Sequence, residues 1–111
     1  MDLIDFAKAA TINQGYKYYI ANKVSNIKTK ELNVFSGYVQ DDLEEPYYVI
    51  INLDYPKTSY CDCEESNKKI CKHMIALYFG VEPEEAFIYG EIVKDYYEDH
   101  AHLIDDEYYD I

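Results

Sequence analysis

The sequence predicts an α+β fold: a small antiparallel sheet with an N-terminal helix before it and short helices after it. Three observations carry this expectation. Residues 3–22 place apolar side chains at near-helical spacing. Residues 24–53 then switch to short runs rich in Val, Ile, Tyr and Phe, the composition of strands. From residue 72 onward the pattern returns to helix, punctuated by Gly80 and Pro83.

In residues 3–22, Leu3, Phe6, Ala10, Tyr16 and Ile20 form the apolar stripe, and Gly15 is placed to bend or break the helix. Val24–Lys28, Leu32–Gln40 and Tyr47–Leu53 read as strands, with Lys28–Glu31 as a hairpin turn. Asp41 to Pro46 reads as a loop, because acids cluster there and Pro interrupts a ladder. Tyr47–Leu53 is apolar at alternate positions on both sides, which predicts a central strand covered on both faces. Asp54–Lys57 turns the chain, and Thr58–Cys63 reads as a last strand. Residues 72–79 predict a short helix stopped at Gly80. Pro83, Glu84 and Glu85 suit the first turn of another helix, expected to reach about Tyr97.

The chain has 111 residues, a length suited to one domain with a thin core, for which a covalent or metal staple is an advantage. Its net charge is -12, and all ten basic residues are Lys. The charge is concentrated at one end: residues 81–111 carry eleven acids against one Lys, whereas residues 1–80 sum to only -2. We therefore divide the chain at 1–80, a folded module, and 81–111, an acidic helical extension. The composition excludes a strongly basic nucleic-acid footprint, and phosphate contacts would lack the bidentate fork of Arg. No apolar run is long enough to cross a membrane, and Asp2 and Asp5 stand where a signal peptide needs positive charge. The expectation is a soluble, cytoplasmic protein, with no membrane partner and no small-molecule substrate. The acidic run continues to Ile111, which suits one piece of a longer protein.

Cysteine usage is the most informative feature. The three cysteines fall within eleven residues as Cys61-Asp62-Cys63 and Cys71-Lys72-His73, a C-x-C-x7-C-x-H pattern. An odd, clustered set in a reducing compartment argues against disulfides and for metal. Zinc takes four N or S ligands in a tetrahedron. Residues two apart in a strand share a face, so Cys61 and Cys63 can aim at one ion. Residues two apart in a helix do not, so Cys71 belongs just before the helix and His73 in its first turn. The helix N-terminus then favours thiolates, and Lys68 and Lys69 can offset the anionic centre. A bound metal outweighs the competing reading, small unligated core cysteines, because four candidate ligands fall within thirteen residues.

This pattern, followed by a short apolar helix, resembles the SWIM zinc finger, named for bacterial Swi/Snf-type ATPases, plant transposases and a kinase. The resemblance extends upstream through Gly15, Tyr18 and Tyr19, through Val24 and Ile27, through Gly37-Tyr38-Val39, and through Tyr47 or Tyr48 with Val49 and Ile51. Downstream, Cys71-Lys72-His73 and Ala76 fit the family's C-K-H-x-x-A ending. Glu64 departs from the Pro that many members carry after the second Cys. The resemblance implies one structural Zn²⁺ on Cys61, Cys63, Cys71 and His73, and an interaction role with a protein or DNA partner.

Other features are weaker. His100 and His102 form an H-x-H pair within acids, and the ordinary reading is a solvated segment. Of the tyrosine pairs, Tyr18-Tyr19 and Tyr47-Tyr48 suit a core without Trp, although Tyr rings can also stack bases. The pairs Tyr96-Tyr97 and Tyr108-Tyr109 lie in the acidic extension. Lys17, Lys23, Lys28 and Lys30 can form a modest basic face. Four protein ligands leave no open zinc position, and the chain lacks H-E-x-x-H, a phosphate-binding Gly loop and a Ser-His-Asp pattern, so no enzyme is expected. A redox role for Cys61 and Cys63 is opposed by zinc, which protects its thiolates. The function expected is protein–protein interaction by a zinc-stapled module, as an accessory or N-terminal piece of a Swi/Snf-associated bacterial protein. The alternatives are a weak nucleic-acid-binding module and an acidic DNA mimic or inhibitor.

Overall fold

The computed structural model describes residues 3–63 and 69–93. A single 3-10 turn, Leu3–Phe6, precedes α1 (Ala9–Ile20). Four strands follow, β1 (Val24–Glu31), β2 (Val34–Val39), β3 (Tyr47–Asn52) and β4 (Tyr60–Cys61), then α2 (Lys72–Val81). Residues 83–93 form a third helix, α3. The strands make one antiparallel sheet in sequence order, so the fold is α+β as expected.

The break in the N-terminal helix lies at Ala7 and Lys8 and not at Gly15, which sits buried inside α1. Gly15 is there for proximity: a Cβ on it would stand 2.5 Å from Ile75 Cβ and 2.8 Å from the Lys72 carbonyl oxygen. Its bare backbone lets α1 lie directly on α2. The end of α1 is a Schellman motif, in which Lys23 N–H reaches the Tyr18 carbonyl and Asn22 N–H reaches Tyr19. Asn22, at φ 60°, takes the left-handed position that closes it.

The hairpin turn falls at Leu32-Asn33, three residues beyond the centre of the expected Lys28–Glu31 turn, which belongs to β1, with Asn33 at φ 61°. In β1 a bulge interrupts the register between Ser25, opposite Tyr38, and Lys28, opposite Ser36, with Asn26 at φ 54°. The bulge explains how Val24 and Ile27, three apart, both approach α2 at Gly80. In an unbroken strand they would face opposite ways. Gly80 is the penultimate residue of α2, one short of its end, and a Cβ on it would crowd Ile27 Cδ1 at 2.8 Å and Val24 Cγ1 at 3.3 Å. The last strand is only two residues of the expected Thr58–Cys63, with the 3-10 turn Pro56–Thr58 reaching its first position.

The helices cover one face of the sheet only, which corrects the expectation of a strand covered on both sides. Val39, Val49, Ile51 and Cys61 point inward and are fully buried, while Tyr48 and Ile50 remain half-buried on the outer face. The central layer is α2, buried on every side from His73 to Phe79. A helix this apolar all round needs cover all round. The sheet lies on one flank, and α1 with α3 lies on the other. Tyr16 of α1, Phe79 of α2 and Tyr89 of α3 join these helices in an aromatic cluster, with centroids 4.9–5.7 Å apart. Among the described residues, no helix is long and apolar enough to cross a membrane.

Candidate metal centre

Cys61 ends β4, Cys63 lies two residues beyond it, and Cys71 is the N-cap residue of α2 with His73 in the first turn. The placement of Cys71 and His73 is the one that helix geometry demanded. All four side chains are buried, and their ligand atoms lie within 4.8 Å of one another. His73 Nδ1 faces the cysteines, 3.6 Å from Cys61 Sγ and 3.9 Å from Cys71 Sγ. Zn–S bonds of ~2.3 Å and a Zn–N bond of ~2.0–2.1 Å in a tetrahedron set the S···N edges at about 3.6 Å. The donor set and its edges therefore fit one zinc ion. A bound zinc supplies a cross-link between β4 and α2, which is worth most where the strand is only two residues long.

The other imidazole nitrogen has its own partner. His73 Nε2 lies 2.7 Å from Asp41 Oδ2, with the His73 side chain almost wholly buried. Asp41 stands at the start of the loop after β2. Its other oxygen accepts the Asp42 backbone N–H at 2.9 Å, and the Lys72 ammonium is 4.0 Å away. The Tyr18 hydroxyl also bonds to Asp41. Burial pushes the Asp41 carboxyl up, but the bonds from His73, Tyr18 and Asp42 outweigh it and hold the group below its ordinary value. Burial and the bond to Asp41 push the Tyr18 hydroxyl well above the usual tyrosine range, so it stays a donor. The rings of Tyr47 and Tyr18 flank the imidazole, with centroids 4.5 and 5.5 Å from it. Asp41 thus orients His73 so that Nδ1 is presented to the metal, the carboxylate–histidine arrangement of many zinc sites.

In the metal-free cluster, burial pulls His73 down, but bonds to Cys71 and Asp41 prevail and raise it. A hydrogen bond with Cys61 draws the Cys71 thiol far down, against burial and with help from His73. The same bond, joined by burial, pushes Cys61 up. In this cluster the thiolate is favoured on Cys71, one of the sulfurs that zinc requires ionised.

Residues 49–79 match the family model of the SWIM zinc finger. No curated protein and no solved structure matches the chain. The SWIM match takes in β3 from Val49, β4, all four ligands and α2 to Phe79. Asp41 and Tyr18 lie outside it, and sequence reasoning assigned neither a place at the metal. Asp41 read as one acid among several in a loop, and Tyr18 as core. The only available signal was the proximity of Tyr18 to Gly15 in the upstream element.

The remaining sequence candidates separate in space. Lys17 and Lys23 line a hollow with Lys72, Gln14 and Tyr18, whereas Lys28 and Lys30 lie on the outer sheet face, so the four do not form one basic face. Lys69 is exposed, and among the described residues Lys72 stands near the centre, 4.0 Å from Asp41. Lys68, His100, His102, the pairs Tyr96-Tyr97 and Tyr108-Tyr109, and the end of α3 at Tyr97 lie outside the described residues.

Proposed function

We propose that this chain is a non-catalytic, zinc-stapled module that docks a protein partner through α3. The observation that carries this reading is the solvent face of that helix. Phe87, Ile88 and Ile92 are 69%, 50% and 61% exposed, while Ala86 is buried against the core. Ile88 and Ile92 stand one turn apart, with Phe87 on the adjoining ridge. Glu84, Glu85 and Glu91 surround them with charge. Large exposed apolar side chains grouped within a polar rim are the usual anatomy of a protein contact. The closed four-ligand centre supports a structural rather than a catalytic metal. The SWIM resemblance makes a Swi/Snf-type ATPase the first candidate partner, in a cytoplasmic setting.

The test is comparative capture from lysate of the native organism, using the wild-type chain and the double variant Phe87→Ser/Ile92→Ser, both verified to hold one zinc. A protein retained by the wild type, lost by the variant, and bound by purified wild-type chain supports the reading. Identical capture by both chains, or equal binding of the purified candidate, overturns it.

A further inference from the structure

The face of the sheet turned away from the helices carries a second surface, independent of α3. Across the four strands, Lys28, Ser36, Ile50 and Tyr60 stand in register, and Tyr38 stands opposite Tyr48 in the neighbouring row. The Tyr38 and Tyr48 rings are 5.3 Å apart at 50°, a tilted pair rather than a closed stack. Beside them is a cavity of about 220 Å³, lined by Asn26, Lys28, Lys30, Ser36, Tyr38 and Tyr48. Among the described residues two cations and no acid line it, in a chain with 22 acids and 10 lysines. The bulge at Asn26 brings Lys28 into register with Ser36 on the outer face, and both lysines line the cavity together with the two tyrosines.

We propose that this face binds single-stranded nucleic acid, with bases stacked on Tyr38 and Tyr48 and the phosphate backbone tracked by Lys28 and Lys30. The pairing of chemistries selects this ligand. An aromatic ring accepts any base, and lysines serve the phosphates as point charges without reading sequence. An acidic peptide would satisfy the lysines but leave the tyrosines unused. A duplex presents phosphates but keeps its bases stacked internally. On the β4 side the surface is bounded by Asp62, which accepts the Tyr60 hydroxyl at 2.8 Å and limits the platform to the two tyrosines and their lysine wall.

The experiment measures anisotropy of labelled oligothymidylate and oligouridylate, about twelve nucleotides long, with the zinc-loaded full chain across a range of salt. Binding of either strand, quenching of tyrosine fluorescence and weaker binding of a duplex are expected. The two oligomers show whether the sugar matters. Lys28→Glu/Lys30→Glu should weaken binding about tenfold or more and reduce the salt slope by ~1.4, two phosphate contacts at ~0.7 each. Tyr48→Ala should also weaken binding, with zinc content and melting temperature recorded to separate stacking from folding. No binding at low salt overturns the proposal. So does equal affinity for heparin or polyglutamate, which would reduce the surface to charge. An unchanged Lys28→Glu/Lys30→Glu variant overturns it as well, and weakening only by Lys17→Glu/Lys23→Glu would move binding to the other hollow.

Discussion

Asp41 Oδ2 lies 2.7 Å from His73 Nε2, joining a loop residue to a metal ligand 32 positions away. The contact leaves Nδ1 for the metal and holds the imidazole plane between Tyr18 and Tyr47. It ties the loop after β2 to the zinc knuckle, from a residue outside the SWIM match.

Replacing Asp41 by Asn keeps the shape and removes the charge. Loss of such an outer partner typically costs 10–100-fold in metal affinity. We expect a loss in that range for Asp41→Asn, a larger one for Asp41→Ala, and a smaller one for Tyr18→Phe, measured by competition with a zinc chelator. Equal affinity in all four proteins would remove Asp41 from the metal centre.

Acidification should release zinc. Metal binding needs a neutral His73 and ionised thiols, so protons compete with it. The metal-free His73 has a raised pKa. The stabilisation that this proton gives the metal-free fold is complete below the unfolded imidazole value of about 6.5, and is lost as pH rises through the folded value. The His73 contribution to zinc affinity should therefore climb with pH through that window and level off above it, while ionisation of the thiols carries the rise further. Asp41→Asn removes one cause of the raised value, so its zinc-binding midpoint should move to lower pH relative to its own plateau. Chelator competition at a series of pH values checks both points.

Gly15→Ala tests the α1–α2 contact. Alanine improves helix propensity by up to ~1 kcal/mol, but its Cβ would stand 2.5 Å from Ile75 Cβ, which is fully buried and cannot yield. Overpacking of this kind costs about 1–3 kcal/mol. The contact should win, with a lower urea midpoint for the zinc-loaded protein. Because α2 also carries Cys71 and His73, zinc release should be faster as well.

Zinc removal should sharply destabilise the fold. Structural zinc sites contribute an apparent ~10–16 kcal/mol, against a total stability of ~5–15 kcal/mol for ordinary domains. With β4 two residues long, little besides the metal secures that strand to α2. Chelation, or Cys71→Ser, should markedly lower the midpoint of thermal unfolding seen by circular dichroism. A variant with an unchanged melting temperature would show that the metal is dispensable.

Much of this molecule was legible from one dimension. The four ligands are close in sequence, and their spacing obeys local geometry: Cys71 at the N-cap and His73 in the first turn follow from helix periodicity alone. The Val, Ile, Tyr and Phe runs marked strands at Val34–Val39 and Tyr47–Asn52, although apolar residues on both sides of the second hid which face the helices cover. Glycine was the poorer guide. Gly15 and Gly80 look like breaks in a sequence, yet both mark places where another element touches bare helix backbone. A glycine needed for proximity carries no local sign distinguishing it from one needed for a turn.

The sequence by itself determined the metal, its ligands and the α+β class, because each depends on residues within a few positions of one another. Only the tertiary structure decided that Asp41 and Tyr18 support His73, that the helices cover a single face of the sheet, and that the lysines divide between two surfaces. Those outcomes depend on contacts between distant segments, whose closure is set by the packing of the whole chain and leaves no periodicity to read.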